Sequence, residues 1–141
     1  ECICLDLFAG TGSLGIEALS RGSPKVIFVE LNKKNYSSLL TNLKCLGIRD
    51  KCKIFFKDAF SWLKNYDLSE VDIIFLDPPF NKDFETKILN QLFKKKDLKP
   101  FCKIYLEYSK YNEIEIPKGF IVLKEKEVGD VKALLLVKDE N

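Results

Sequence analysis

Histidine is missing from all 141 residues, and so is methionine. Without His, a metal centre would need Cys and carboxylates alone. The five cysteines (Cys2, Cys4, Cys45, Cys52, Cys102) show neither C-x-x-C spacing nor an even count, so reduced, mostly buried thiols and no metal site are the expectation. No apolar run approaches the roughly 18 residues of a membrane span, and no basic, apolar, small-residue leader opens the sequence. A cytoplasmic protein with no membrane partner is expected. The net charge is only +2, too weak a field to announce a nucleic-acid partner. There is no internal repeat, low-complexity tract or Pro/Gly/Ser linker, so 1–141 reads as one domain. A strand pattern begins almost at once after Glu1, which reads as the interior of a longer protein.

What is present is a regular alternation. Ile3 to Phe8 reads as a buried strand, followed by a Gly-rich loop and a helix running to about Arg21, with Gly22 as its C′ residue. Lys25 to Glu30 is a second strand. Tyr36, Leu39, Leu40, Leu43 and Leu46 then form one apolar stripe at helical spacing, closed by Gly47. Cys52 to Lys57 is a third strand, and Asp58 opens a short helix with Phe60, Trp62, Leu63 and Tyr66. Val71 to Asp77 is a fourth strand, about Asp83 to Lys96 a helix presenting Ile88, Leu89, Leu92 and Phe93, and Lys103 to Tyr108 a fifth strand. This order is the mark of a doubly wound parallel α/β sheet. Phe120 to Lys124 and Lys132 to Lys138 have no helix between them and a Gly129-Asp130 turn signal, so they read as a terminal hairpin. Lys33-Lys34 and Lys94-Lys-Lys96 read as solvated helix faces.

Val71-Asp-Ile-Ile-Phe-Leu-Asp-Pro-Pro-Phe80 narrows the chemistry most. Its apolar residues fill both alternating faces, the pattern of a strand buried on both sides. Two prolines offer no N–H and push their predecessors out of the helical region, so Asp77-Pro78-Pro79-Phe80 leaves the sheet as a stiff, extended loop. Ligands of open α/β sheets bind at such carboxyl ends. An exocyclic amine on a nucleobase is a poor nucleophile because its lone pair is delocalised. The Asp77 carboxylate and the Pro78 carbonyl could accept from its N–H groups, favour a pyramidal nitrogen and collect the charge developing during attack. Pro79 would stiffen that geometry, and Phe80 could stack on the base, worth roughly 1–3 kcal/mol. The bland alternative is a rigid turn after a core strand.

Gly10-Thr-Gly-Ser-Leu-Gly15 fits G-x-G-x-x-G between strand and helix, where glycines let a ligand approach the backbone. Glu30, at the end of the second strand, could take both ribose hydroxyls through its two oxygens. NAD and S-adenosylmethionine are both permitted by these residues. Asp6 tilts the choice, since a carboxylate beside the loop repels a pyrophosphate and attracts an ammonium group. Asp58 could accept from an adenine amino group. The plainer readings are that Asp6 caps loop N–H groups, that Asp58 is an N-cap and that Glu30 is a solvated helix-start acid.

With these residues in view, the sequence resembles class I S-adenosylmethionine-dependent methyltransferases, and specifically the bacterial 16S ribosomal RNA guanine-N2 methyltransferase family. The resemblance rests on Leu5-Asp-Leu-Phe-Ala-Gly-Thr-Gly-Ser-Leu-Gly-Ile-Glu-Ala-Leu-Ser-Arg-Gly22 and Phe75-Leu-Asp-Pro-Pro-Phe80, with Val29-Glu30, Asn42-Leu43, Asp58-Ala59 and Glu107 at comparable places. It covers essentially all 141 residues. It implies a Rossmann-like seven-stranded sheet in the order 3-2-1-4-5-7-6 with strand 7 antiparallel. It also implies methyl transfer from S-adenosylmethionine to the 2-amino group of a guanine in small-subunit rRNA, free or in the assembling subunit, by a monomer. The cofactor set becomes Asp6, Phe8, Ala9, Gly10, Gly12, Glu30, Leu31, Asp58, Ala59 and Asp77, and the catalytic set Asp77, Pro78, Pro79 and Phe80. The Asp-Pro-Pro-Phe motif is shared with adenine-N6 methyltransferases, so the base itself stays open on that motif. Family members also carry a Gly- and Arg-rich N-terminal extension that reaches toward RNA and is not among these residues. Cofactor binding without RNA binding or turnover is the expectation for this stretch.

Overall fold

The structure, a computed structural model, describes residues 2–79 and 83–139. The strands form one sheet in the order β3-β2-β1-β4-β5-β7-β6, from two compact units, Glu1–Tyr66 and Asp67–Asn141. The expected strand order, and the antiparallel seventh strand, are therefore observed.

The first unit holds β1 (Ile3–Asp6), α1 (Ser13–Ser20), β2 (Lys25–Glu30), α2 (Lys33–Cys45), a 3-10 turn (Arg49–Lys51), β3 (Cys52–Phe56) and α3 (Ala59–Asn65). Its three strands are parallel, with Cys4 opposite Val26 and Glu30 opposite Phe56. Val26, Ile27, Phe28 and Val29 are each at most 2% exposed, so β2 is covered on both faces, as a run without polar alternation requires. β1 stops at Asp6 rather than Phe8, because the backbone turns there and the Ala9 N–H reaches back to the Val29 carbonyl at 3.1 Å. The stripe of α2 buries Leu39 and Leu43, but Leu46 lies 57% exposed: the helix ends at Cys45, and Leu46 is its cap. Trp62 stacks on Tyr66 at 4.3 Å and meets Phe55 at 5.5 Å, which fixes α3 on β3.

The second unit holds β4 (Ile73–Leu76), α4 (Phe84–Lys94), β5 (Lys103–Ser109), β6 (Phe120–Val128) and β7 (Val131–Lys138). β4 and β5 are parallel, while β5 with β7 and β7 with β6 are antiparallel. The terminal hairpin is present and longer than its apolar pattern: a bulge between Val122 and Lys124 shifts the register, and pairing continues through the charged run to Val128 opposite Val131. Mixed charges on β6 suit an exposed edge strand. β4 is shorter than read and not evenly covered: Ile74 and Leu76 are buried, whereas Ile73 and Phe75 are half-buried. Helix α4 buries Ile88, Leu89 and Leu92, while Phe93 sits at the flank against Phe120, ring centroids 5.9 Å apart.

Of the cysteines, Cys4, Cys52 and Cys102 are buried and Cys2 and Cys45 exposed, all as free thiols. Burial pushes the Cys52 thiol up to about 11, so it is un-ionised and unreactive at neutral pH. Among the described residues, no helix is long and apolar enough to cross a membrane.

Helix α1 lies so close to β2 that Gly15 has no room for a side chain. A Cβ there would run into the Phe28 ring and sit 3.0 Å from Val26 Cγ1, both on a fully buried strand. Gly15→Ala is expected to lower stability by about 1–3 kcal/mol, the range for overpacking a filled core. Urea unfolding followed by Trp62 fluorescence checks it, and an unchanged midpoint would mean that α1 can back away from the sheet.

Candidate active site

In the first unit the site is assembled at the carboxyl ends of β1, β2 and β3. Asp6, the last residue of β1, is 1% exposed, and its Oδ2 accepts the Gly15 N–H at 3.2 Å. The carboxylate thereby ties the strand end to the first turn of α1 across the whole loop. Gly10 and Gly12 make that loop possible, with φ of 59° and 98°, values that cost other L-residues steric energy. Gly12 caps α1, and its N–H closes a turn on the Ala9 carbonyl at 2.9 Å. The Thr11 carbonyl is held from the other side by the Asn42 side-chain amide at 3.1 Å.

Glu30 ends β2 and is 9% exposed, not a solvated acid. Its Oε1 accepts the Gly10 N–H and its Oε2 the Asn32 N–H, each at 2.7 Å. Each oxygen keeps a further lone pair. A side chain built on Gly10 would meet nothing within 4 Å, so open space lies in front of the glycine that Glu30 holds. That combination, a fixed carboxylate beside bare backbone, fits a ribose-bearing cofactor. Leu31 follows, 60% exposed, and Asn32 caps α2 by accepting the Asn35 N–H at 2.9 Å.

Asp58 follows β3 as the N-cap of α3, its Oδ2 accepting the Ser61 N–H at 3.0 Å. This is the plainer of its two readings, and it leaves Oδ1 outside the cap. Ala59 is buried, and Phe8 meets Phe60 edge-on at 6.2 Å. The register of β2 with β3 puts Glu30 beside Phe56, and the Lys57 N–H donates to the Glu30 carbonyl at 3.0 Å, so Asp58 leaves the sheet next to the Glu30 backbone.

In the second unit, Asp77 and Pro79 are exposed and Pro78 is buried. Phe80 lies outside the described residues. No hydrogen bond reaches the Asp77 carboxylate among the described residues. It stands open to solvent on one side, while the protein around it strips away part of its hydration and, secondarily, Glu107 repels its charge; together these push it up to about 6. Glu107 is held by the Tyr105 hydroxyl, which donates to its Oε1 at 2.8 Å. Partial burial, and then the bond to Glu107, push the Tyr105 phenol up to about 12, so it stays a donor.

Sequence reasoning placed Glu107 only by resemblance and did not single out Tyr105. The signal was available: the two are at i and i+2 on a strand parallel to β4, hence on one face.

A sheet in this order, with Gly-rich loop and acids at strand ends, is the architecture of Rossmann-like methyltransferases. The family described as "Conserved hypothetical protein 95" matches residues 1–137. Ribosomal RNA small subunit methyltransferase D of Buchnera aphidicola subsp. Acyrthosiphon pisum is 37% identical over 134 residues, covering 95% of this chain and 70% of that protein. Its counterpart from Haemophilus influenzae is 38% identical over 130 residues, 91% of this chain and 67% of that one. A crystal structure of a suspected methylase from Haemophilus influenzae superposes with a TM-score of 0.86 at 36% identity, covering 99% of this chain and 88% of that chain. The chain belongs to the family of the ribosomal RNA small subunit methyltransferase D proteins.

Because its folded-state value lies above the usual 3.8, ionised Asp77 is a cost to the fold. Its contribution to stability is complete below the unfolded value and is lost as pH rises through about 6. Asp77→Asn should therefore be more stable than the parent at pH 7.5, with the gap closing by pH 4. Denaturant unfolding at both pH values measures this. Glu107→Gln, which removes the repelling charge, should move the Asp77 titration downward in a carbon-detected NMR titration; an unmoved titration would leave burial as its sole cause.

Proposed function

We propose that this chain is the catalytic core of an S-adenosylmethionine-dependent methyltransferase acting on the 2-amino group of a guanine in small-subunit ribosomal RNA, in the cytoplasm. The observation that carries the reading is Asp77, a carboxylate at the end of β4 with no protein donor among the described residues and two prolines behind it. An acceptor left free in this way suits the N–H of an exocyclic amine. Membership of a family whose named relatives methylate small-subunit rRNA supports the same reading.

In this reading Asp6, Phe8, Ala9, Gly10, Gly12, Glu30, Leu31, Asp58 and Ala59 hold the cofactor. Glu30 takes the ribose hydroxyls through lone pairs left by Gly10 and Asn32, and Asp6 sets a negative field behind the loop for the cofactor's ammonium group. When bound, S-adenosylmethionine supplies a methyl group on a positively charged sulfur. Asp77 and the Pro78 carbonyl orient the base amine and draw its developing charge toward the protein. Phe80 stacks on the base. Ionised Asp77 is the working form, and its raised value makes it a better proton acceptor than an ordinary aspartate while leaving it ionised at pH 7 and above.

Calorimetric titration should show binding of S-adenosylmethionine and not of NAD, weakened about 1.5–3 kcal/mol by Glu30→Ala, the scale of a charged hydrogen bond. Binding of NAD alone would overturn the reading. For the full-length protein, Asp77→Ala should leave cofactor affinity within a few-fold while turnover collapses, and wild-type kcat should fall as pH drops through about 6. Methyl-labelled RNA digested to nucleosides should yield N2-methylguanosine, and label on adenosine would reassign the base.

A further inference from the structure

Strand register carries two residues of β5 to the end of β4. Ile73 lies opposite Lys103, Phe75 opposite Tyr105 and Leu76 opposite Leu106, so the next step along both chains sets Asp77 beside Glu107, on backbones that run roughly 4.8 Å apart in a sheet. The face is marked by the rings one step earlier: Phe75 meets Tyr105 edge-on, centroids 6.0 Å apart, and side chains two residues further on point the same way. Charge reports the same closeness. Glu107 repels the Asp77 carboxylate, and Asp77 in turn acts on the Tyr105 phenol. All three residues belong to the unit Asp67–Asn141.

The two acids differ in how they are held. Glu107 is half-buried, and its Oε1 accepts the Tyr105 hydroxyl at 2.8 Å, so one oxygen is taken and the carboxylate has a set orientation. Its Oε2 receives no donor among the described residues, and neither Glu107 nor Asp77 has an ion pair among them. A carboxylate that has lost part of its water and lacks a donor costs free energy, which a ligand's N–H would offset. No group of three acidic, Cys or His side chains among the described residues converges as metal ligands would. Two neighbouring carboxylates of this kind complement a ligand with donors on adjacent atoms. Of the four RNA bases, guanine alone presents a ring N–H beside an amino group; adenine and cytosine put a lone pair on the ring nitrogen next to theirs, which a carboxylate repels.

We infer that Glu107 reads the base: with the guanine 2-amino group at Asp77, the Oε2 of Glu107 accepts the adjacent ring N1–H, and Tyr105 is the positioning residue that fixes the Glu107 carboxylate. The inference rests on the methyltransferase reading above and deepens it, giving the selection of guanine over adenine that the Asp-Pro-Pro-Phe motif lacks.

The test uses the full-length enzyme at about pH 8 and small-subunit RNA ligated from two pieces, with either guanine or 2-aminopurine at the nucleotide that label mapping identifies. 2-Aminopurine keeps the 2-amino group, carries a lone pair at N1 and lacks O6. Wild type should prefer guanine by at least about 100-fold in kcat/KM, since a site built to bond an N–H rejects analogues without it. In Glu107→Gln the Tyr105 hydroxyl still has an oxygen to bond, which turns the amide NH2 to the place of Oε2, where it suits the lone pair. That variant should bring the two RNAs within about 5-fold, with calorimetric cofactor affinity unchanged. Its lost charge also acts on Asp77, but on both RNAs alike, so the ratio isolates the contact to N1. Tyr105→Phe should narrow the preference to about 10-fold, again with cofactor affinity unchanged. Equal use of the two RNAs by wild type, or a ratio unmoved by Glu107→Gln, would overturn the role of Glu107, the latter assigning the preference to O6. Cofactor affinity lost in Glu107→Gln would overturn it in favour of a cofactor contact, and a ratio unmoved by Tyr105→Phe would overturn Tyr105 as the positioning residue. A wild type that methylates no guanine at all would overturn the parent reading, a distinct result.

Discussion

The hydrogen bonds from Gly10 and Asn32 to the two oxygens of Glu30 are the constraint from which the first unit's loops take their shape. A carboxylate 9% exposed has given up most of its water, and two short charge-assisted bonds, each worth about 1.5–3 kcal/mol, offset that loss. One bond fixes the loop after β1, and the other fixes the start of α2 after β2. Neither loop could drift without leaving a buried charge short of a donor. Asp6 does the same a layer deeper, where it pins Gly15 and so the first turn of α1. A loop of flexible glycines is thus held at both ends by acids that accept the protein's own N–H groups.

The second unit treats its acid in the opposite way. Among the described residues no N–H reaches Asp77, which stands beside Glu107 and is pushed up to about 6. The contrast follows from backbone supply. The loops after β1 and β2 have ordinary residues with N–H groups to give, whereas the two residues after Asp77 are prolines, which have none. The same sequence feature that stiffens the turn also withholds two N–H groups from the carboxylate, so rigidity and readiness to accept a proton share a cause.

This difference also governs what could be read from the amino-acid order. The strand sequence was legible because Val26 to Val29 and Ile104 to Leu106 carry apolar runs too short for helices and bounded by loop residues. The glycine loop was legible because positive φ selects glycine. The ends of elements were not: whether β1 runs to Asp6 or Phe8 depends on a carbonyl of β2 that pairs with Ala9. Leu46 looked like part of a stripe, but periodicity does not say where a helix stops, and Cys45 is its last residue. Asp58 is half legible, since a side chain that caps Ser61 has the same sequence signature as one that awaits a ligand. The burial of Glu85 was not legible at all, because an acid in a first helical turn is ordinary on a surface and only the packing around α4 buries it.

The electrostatics of Asp77 trace back to sheet register. β5 is paired along four positions with β4 and along seven with β7, and this double pairing fixes which face Tyr105 and Glu107 present. A slip of one residue would send both to the opposite face, separate Glu107 from Asp77 and place Leu106, now buried, where the acid stands. The antiparallel hairpin of β6 and β7 contributes no residue to the candidate site. Its contribution is to lock β5 from the far side, so that a charge on one strand stays set against a charge on the next.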